Sequence, residues 1–163
     1  LFNSRNGYIN KILDGIGVGR QLFLGSRSQA LICVAIVGIW VVFGYNMIIF
    51  LSALKDVPSE YYEAAKIDGA NAVQRFFKIT LPSIKGTTIF VLVTSLIASF
   101  QAFDQIRVMT SGGPGKTTEV TVYYIFQLAF EQYRFEYAST IAVSLSLIIM
   151  VVTVIQMKLL RFK

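Results

Sequence analysis

Three stretches of the chain carry no charged residue: 30–54, 86–103 and 137–157, of 25, 18 and 21 residues. At about 1.5 Å of rise per residue the first makes roughly 37 Å of helix, and about 18 apolar residues are the least that cross a bilayer. The pattern predicts three membrane spans, the middle one only just long enough. A fourth uncharged run, 120–130, has 11 residues between Glu119 and Glu131. It is too short to cross and predicts an interfacial or partly inserted helix. The expected organisation is an all-α integral membrane protein: a soluble segment 1–29, a span 30–54, a soluble loop 55–85, a span 86–103, a loop with a short helix at 104–136, a span 137–157 and a tail 158–163.

Composition agrees with that class. Hydrophobic residues make up 55% of the 163 and charged residues 15%, against about 25% charged in soluble domains, and mean hydropathy is +0.62. Charge does not orient the spans. The soluble stretches on one side carry seven Lys and Arg and those on the other carry eight, and an excess on one side is what sets topology. The net charge of +6 fits anionic lipid at least as well as nucleic acid, and nucleic acid is not an expected partner. The one cysteine, Cys33, lies in the first span, and there is no histidine. A disulfide within the chain, a histidine metal site and a Ser-His-Asp triad are thereby excluded, and no cofactor is expected. The spans hold no carboxylate either, which argues against a membrane-embedded enzyme, and nothing resembles the filter or pore ring of a channel. The chain begins at Leu1 with no charged-then-apolar signal ahead of the first span, and three spans make a thin bundle. The expectation is the C-terminal part of a longer subunit.

The run "SGGPGKTT" at 111–118 imitates a phosphate-binding loop. That motif needs a glycine five residues before Gly115-Lys116-Thr117, at position 110, which is a threonine. A phosphate loop also follows a buried strand, whereas this run stands beside a span. A tight Gly-Pro turn between two helices accounts for it.

The most structured loop is "KDVPSEYYEAAKIDGANAVQRFFKITLPSIKG". Pro58 is placed to open a helix, where its missing N–H costs nothing. Residues 59–67 suit that helix, with Glu60 and Glu63 in early turns, where the dipole favours acids. Asp68-Gly69 predicts its end through a left-handed glycine cap. A second helix is expected from about Asn71 to Lys78, with Val73, Phe76 and Phe77 on its apolar edge, closed by Thr80-Leu81-Pro82. Two short helices meeting at a glycine elbow, with small Ala64 and Ala65 on the first, make a docking element as much as a linker.

Glu63-Ala64-Ala65, Gly69, Ile79, Leu81 and Pro82 together read E-A-A-x3-G-x9-I-x-L-P. This resembles the cytoplasmic signature loop of bacterial ABC importer permeases, with every fixed position met. The words "IDGA" at 67–70, "FFKITLP" at 76–82 and "TSGGP" at 110–114 are similar to the carbohydrate-uptake, maltose-permease-like branch, and the likeness runs from about Gly7 to the C-terminus. The resemblance implies the transmembrane domain of a type I ABC importer in a bacterial or archaeal cell membrane. It places 1–29 and 104–136 outside and 55–85 and 158–163 in the cytoplasm. It implies a transporter subunit that is not itself an enzyme. The implied partners are an ABC ATPase subunit dimer gripping the elbow, a second permease subunit, an extracytoplasmic solute-binding protein, membrane lipid and a sugar substrate. Similar permeases serve glycerol phosphate or polyols, so the solute class stays open between these and an oligosaccharide.

Polar groups in spans are costly against lipid and tend to face a bundle interior or a water-filled path. In the second span Thr94, Ala98, Gln101 and Gln105 recur at intervals of 4, 3 and 4 and predict one face, with Ser95 and Ser99 beside it and Asp104 just past the top. In the first span Tyr45 and Asn46, next to Gly44, are the strongly polar candidates. Tyr45, Asn46, Ser95, Ser99, Gln101 and Asp104 are the expected lining of a substrate path, with Phe100 and Phe103 offering aromatic surface for a sugar. Helix–helix hydrogen bonding is the competing explanation for the same residues. In the third span Ser139, Ala142 and Ser146 form a small-residue packing stripe.

Overall fold

A computed structural model describes residue 2 and residues 7–161, with only the backbone at 161. Arg5, counted above in the first soluble stretch, and the last two residues of the expected tail lie outside the described residues. Among the described residues every regular element is helical. The order is α1 (Tyr8–Gly15), a 3₁₀ turn (Phe23–Gly25), α2 (Ala30–Lys55), α3 (Ser59–Ile67), α4 (Ala72–Arg75), a π turn (Phe76–Thr80), α5 (Leu81–Ser83), α6 (Lys85–Phe100), α7 (Asp104–Met109), α8 (Thr121–Phe126), a second π turn (Gln127–Glu131) and α9 (Phe135–Arg161).

Helices α2 and α9 are each long and apolar enough to cross a membrane, and the best apolar windows of the two are only 11% and 6% buried. Their aliphatic and aromatic side chains point outward, as a hydrocarbon surround requires. The middle crossing departs from expectation. Helix α6 has 16 residues and ends at Phe100. It reaches spanning length only together with Ala72–Ser83, which meets it across a bend of 70°.

The chain forms two compact units. The first comprises Leu1–Val41 and Ala98–Val151. Its core is Val34, Ile106 and Tyr123, packed about by Phe103, Met109, Val120 and Phe126. A second cluster joins Leu128 and Ala129 to Ala138 of α9. The segment before α2 is pinned by side-chain amides. Buried Asn10 donates to the Gln21 carbonyl at 2.8 Å and accepts from the Gln21 N–H at 3.0 Å. Gln29 then donates to the Gln21 side chain at 2.9 Å and accepts from the Phe23 N–H at 3.0 Å. A buried amide so satisfied fixes one conformation of the segment.

The second unit comprises Val42–Ile97 and Val152–Lys163. Here the expected stop at Thr80-Leu81-Pro82 is corrected: helical structure continues through Pro82 and breaks at Ile84 (φ −94°, ψ 13°). The π turn explains this. The N–H of Leu81 reaches back to the Phe76 carbonyl, shifting the hydrogen-bond register just ahead of a proline that has no N–H to place. Buried Ile84 anchors the break, and α6 starts one residue later.

Candidate functional site

The EAA-type loop lies within the second unit. Pro58, with extended backbone (φ −59°, ψ 134°), immediately precedes α3. At the other end Gly69 has φ +77°. Its N–H donates to the Lys66 carbonyl at 3.0 Å, and the Ala70 N–H reaches the Ala65 carbonyl at 2.9 Å. These two bonds form a Schellman cap, and the left-handed turn that makes it is one glycine takes cheaply. The expected elbow is therefore present at the expected residue. Just beyond it, Asn71 and Gln74 form a reciprocal capping box on α4, both bonds 2.9 Å, and Arg75 donates to the Ala70 carbonyl at 2.8 Å. A hydroxyl pair, Tyr62 to Thr80 at 2.9 Å, ties α3 to the π turn.

This arrangement holds α3 rigidly while leaving one of its faces open. Glu63 and Ala64 are exposed, Ala65 is half-buried, and among the described residues Glu63 enters no ion pair. Ile79 is half-buried, and Leu81 and Pro82 are exposed at the head of α5. A Cβ built on Gly69 meets no atom within 4 Å, so its surroundings in this chain are open. A carboxylate, two methyl-sized side chains and a glycine on a helix closed by a Schellman cap form a surface that a second backbone can approach closely.

The polar span residues separate into two groups. In the second unit the Asn46 amide donates to Ser95 Oγ at 3.4 Å, a long bond between α2 and α6. Tyr45, beside it, is 66% exposed. The single face expected for Thr94, Ala98, Gln101 and Gln105 does not form. Because α6 ends at Phe100, Gln101 sits in an exposed turn, its N–H on the Ala98 carbonyl at 3.1 Å. Asp104 and Gln105 belong to a separate helix, α7. The cause is packing: Phe103 leaves the helix to set its ring against Phe126 and Tyr123, with centroids 5.1 and 6.1 Å apart. Ser99 is exposed and engaged within the chain.

The glycine-rich loop is closed on itself, which settles its likeness to a phosphate loop. Thr118 is 1% exposed; its hydroxyl donates to the Gly113 carbonyl at 2.8 Å and pairs with the Thr110 hydroxyl at 2.7 Å. The Thr117 hydroxyl donates to the Pro114 carbonyl at 2.8 Å. The hydroxyls that would meet a phosphate or its metal are thus engaged with the loop's own carbonyls. Gly112 has φ +80°, and a Cβ there would stand 2.9 Å from the Tyr123 ring. The loop caps α7 and packs on the core of the first unit.

Sequence reasoning missed Arg107. Its guanidinium donates to Glu131 at 2.8 Å and to the Tyr123 hydroxyl at 3.5 Å, and it lies 4.7 Å over the Phe126 ring. The Tyr123 bond first and the Glu131 bond second raise its pKa above the ordinary arginine value. Arg107 and Glu131 are 24 positions apart, so no local spacing links them.

Residues 16–162 match the family described as binding-protein-dependent transport system inner membrane component. The chain is 38% identical over 151 residues to the arabinooligosaccharides transport system permease protein AraP of Halalkalibacterium halodurans, covering 92% of this chain and 48% of that protein. It is similar in fold to a bacterial ABC transporter involved in import of the acidic polysaccharide alginate, with a TM-score of 0.88 at 26% identity, over 98% of this chain and 56% of the other. A bacterial alginate ABC transporter in complex with an alginate pentasaccharide-bound periplasmic protein matches at a TM-score of 0.86 and 26% identity, over 95% of this chain and 54% of the other. The chain spans about half the length of the curated relatives it matches.

Proposed function

Because the chain belongs to the binding-protein-dependent transport system inner membrane components, we propose that it is part of the permease subunit of an ATP-driven sugar or oligosaccharide importer, coupled to a separate ATPase through the α3 elbow. The carrying observation is the α3 helix itself. It starts directly after Pro58 and is closed by the Gly69 cap at its end, braced by the Tyr62–Thr80 bond, and its Glu63 carboxylate is open to a partner.

A helix closed by a glycine cap and tied to the next segment moves with that segment as one body. In this reading α3 sits in a cleft of the ATPase dimer, and closure of that dimer on ATP displaces α3. The push passes through the Tyr62–Thr80 bond to the bent Ala72–Ser83 segment and then to α6. Rigid elements hinged at a few residues carry alternating access in this way. This chain supplies no nucleotide chemistry. Its spans, with those of a second permease subunit, enclose the path, and Asn46, Ser95, Ser99, Tyr45, Gln101 and Asp104 are the residues proposed to meet the solute. The carbohydrate assignment rests on relatives whose names specify arabinooligosaccharides and alginate, and a solute-binding protein would deliver the sugar on the side of the glycine-rich loop.

The test is co-purification of the full subunit with an ATPase subunit, followed by ATP-dependent uptake of a labelled oligosaccharide into vesicles that contain the complex and its binding protein. Uptake that needs ATP and the binding protein supports the reading. A subunit that associates with no ATPase, or conducts solute without ATP, overturns it.

A further inference from the structure

The segment ahead of α2 turns its apolar side outward. Tyr8 and Ile12 of α1, and Ile16 just past its end, stand four residues apart and so share one face. They are 67%, 65% and 67% exposed, whereas Asn10, on the opposite face, is 2% exposed. A helix that rests on a protein in water does the reverse, with its apolar stripe on the core and its polar side in solvent. Here an amide makes the contact with the rest of the chain, bonded twice to the Gln21 backbone, and the side left open is the apolar one. Exposed Val18 and Leu22 carry the same character on toward α2.

Hydrogen bonds fix α1 near the end of a span. Asn10 holds Gln21, and the Gln21 side chain accepts from Gln29, the residue just before α2. The 26 residues of α2 make about 39 Å of helix at about 1.5 Å per residue, against a hydrocarbon core of about 30 Å. The excess puts its ends among the headgroups, and Gln29 with them. The charged groups of α1 suit that depth. The Lys11 ammonium lies 5.3 Å from the centre of the Tyr8 ring, at the edge of the apolar face, and Asp14 pairs with Arg20 at 2.8 Å on the polar side. Tyrosine and a lysine that buries its stem while its ammonium stays wet both favour this layer.

We propose that α1 is an interfacial helix, lying in the bilayer surface with Tyr8, Ile12 and Ile16 toward the acyl chains and Lys11 among the lipid phosphates. Helices of this kind sink their apolar face by about 5–10 Å into the boundary between headgroups and acyl chains. The face continues the lipid-facing surface of α2, whose Leu31 and Ile32 are already exposed in its first turn. The segment before α2 is then moored to the membrane at a second point instead of standing in water. That placement needs only a spanning α2; it does not depend on what the complex carries.

The experiment uses the assembled complex that contains the full subunit, in liposomes, with Cys33 and any other cysteines replaced. A nitroxide is attached in turn at Ile12→Cys, Ile16→Cys and Asp14→Cys. Its collisions with oxygen, which concentrates in lipid, are compared with its collisions with a water-soluble nickel chelate. The expected result is an oxygen-to-nickel ratio several-fold higher at positions 12 and 16 than at position 14, the reference on the polar face of the same helix. Where Ile12→Cys fails to assemble, Ile16→Cys reads the same face. Nickel access at 12 and 16 equal to that at 14 overturns the proposal, since the segment would then stand in water. Labels at 12 and 16 shielded from both reagents overturn it as well, because the face would then be covered by protein.

Discussion

The guanidinium of Arg107 and the carboxylate of Glu131 meet at 2.8 Å, and between them they hold α7 against the second π turn. Both side chains are partly open to solvent, at 44% and 42%, so the ion pair alone contributes little. What distinguishes the site is that the same guanidinium lies on the Phe126 ring and donates to Tyr123. Arg107→Met should therefore lower the thermal stability of the complex more than Glu131→Gln does. Arg107→Lys should resemble the Met variant, because an ammonium has no planar face to stack and no fork. The raised arginine pKa means that its stabilisation is present below the ordinary arginine value and lost only above the raised one. The deficit of the Arg107 variants should be constant across neutral pH. A Lys variant as stable as the parent would show that charge alone matters there.

Gly112 and Lys116 separate structure from apparent function in the glycine-rich loop. A Cβ at Gly112 would stand 2.9 Å from Tyr123, at a φ of +80°, so Gly112→Ala should destabilise by about 1–3 kcal/mol through strain and displacement of a core ring. Lys116 is 79% exposed and 3.8 Å from Glu119. Lys116→Ala should leave stability and ATP turnover of the complex near the parent's. Loss of nucleotide binding in Lys116→Ala would restore the phosphate-loop reading.

What could be read in the chain before folding follows from which interactions are local. Pro58, Asp68 and Gly69 punctuate α3 through their own backbone preferences, so the elbow is legible within a dozen residues, and α2 and α9 announce themselves by uninterrupted apolar length. The end of α6 at Phe100 is decided by Phe103 docking on Tyr123 and Phe126, more than twenty residues downstream; a period of 3.6 runs past it without a sign. The π turn at 76–80 is equally silent, since Phe76-Phe77-Lys78 reads as ordinary helix and Pro82 as its stop. Arg107 looks like one of several loop cations until its partners are in place.

For the proposed coupling element, the open space around Gly69 makes a sharp distinction possible. With no atom of this chain within 4 Å of where a Cβ would stand, the intrinsic cost of a side chain is the left-handed backbone, about 1–2 kcal/mol for an ordinary residue and less for Asn. Gly69→Asn should then preserve the Schellman turn, and Gly69→Val should lose it. If uptake falls in both although assembly of the spans is intact, the space beside Gly69 is occupied by the ATPase. If Asn behaves as the parent and Val does not, only the turn is required. Glu63→Ala should weaken ATPase association or uncouple hydrolysis from uptake, by about 2–5 kcal/mol if its partner charge is buried in the interface. Unchanged uptake and association in both Glu63→Ala and Gly69→Val would remove this loop from the mechanism.

Asn46 and Ser95 offer the cleanest choice between a solute contact and a packing contact. Their bond is long, at 3.4 Å, and interhelical hydrogen bonds of this kind average only about 0.6 kcal/mol in membranes. If joining α2 to α6 is their whole role, Asn46→Ala and Ser95→Ala should cost equal, small amounts of thermal stability, and the double variant no more than either alone. Solute uptake would be unchanged in all three. The substrate-path reading expects something different. An amide needs more partners than one weak acceptor supplies, so Asn46 would use its remaining capacity on sugar hydroxyls. Asn46→Ala should then raise the half-saturating solute concentration or shift selectivity between oligosaccharides, while Ser95→Ala does so weakly or not at all. Gln101, exposed in the turn after α6, should behave like Asn46 if the path reaches it, with Gln101→Ala altering uptake at unchanged stability. The measurement is concentration-dependent uptake of two oligosaccharides of different length, alongside thermal unfolding of each variant. Kinetics identical to the parent in Asn46→Ala and Gln101→Ala would remove both residues from the path.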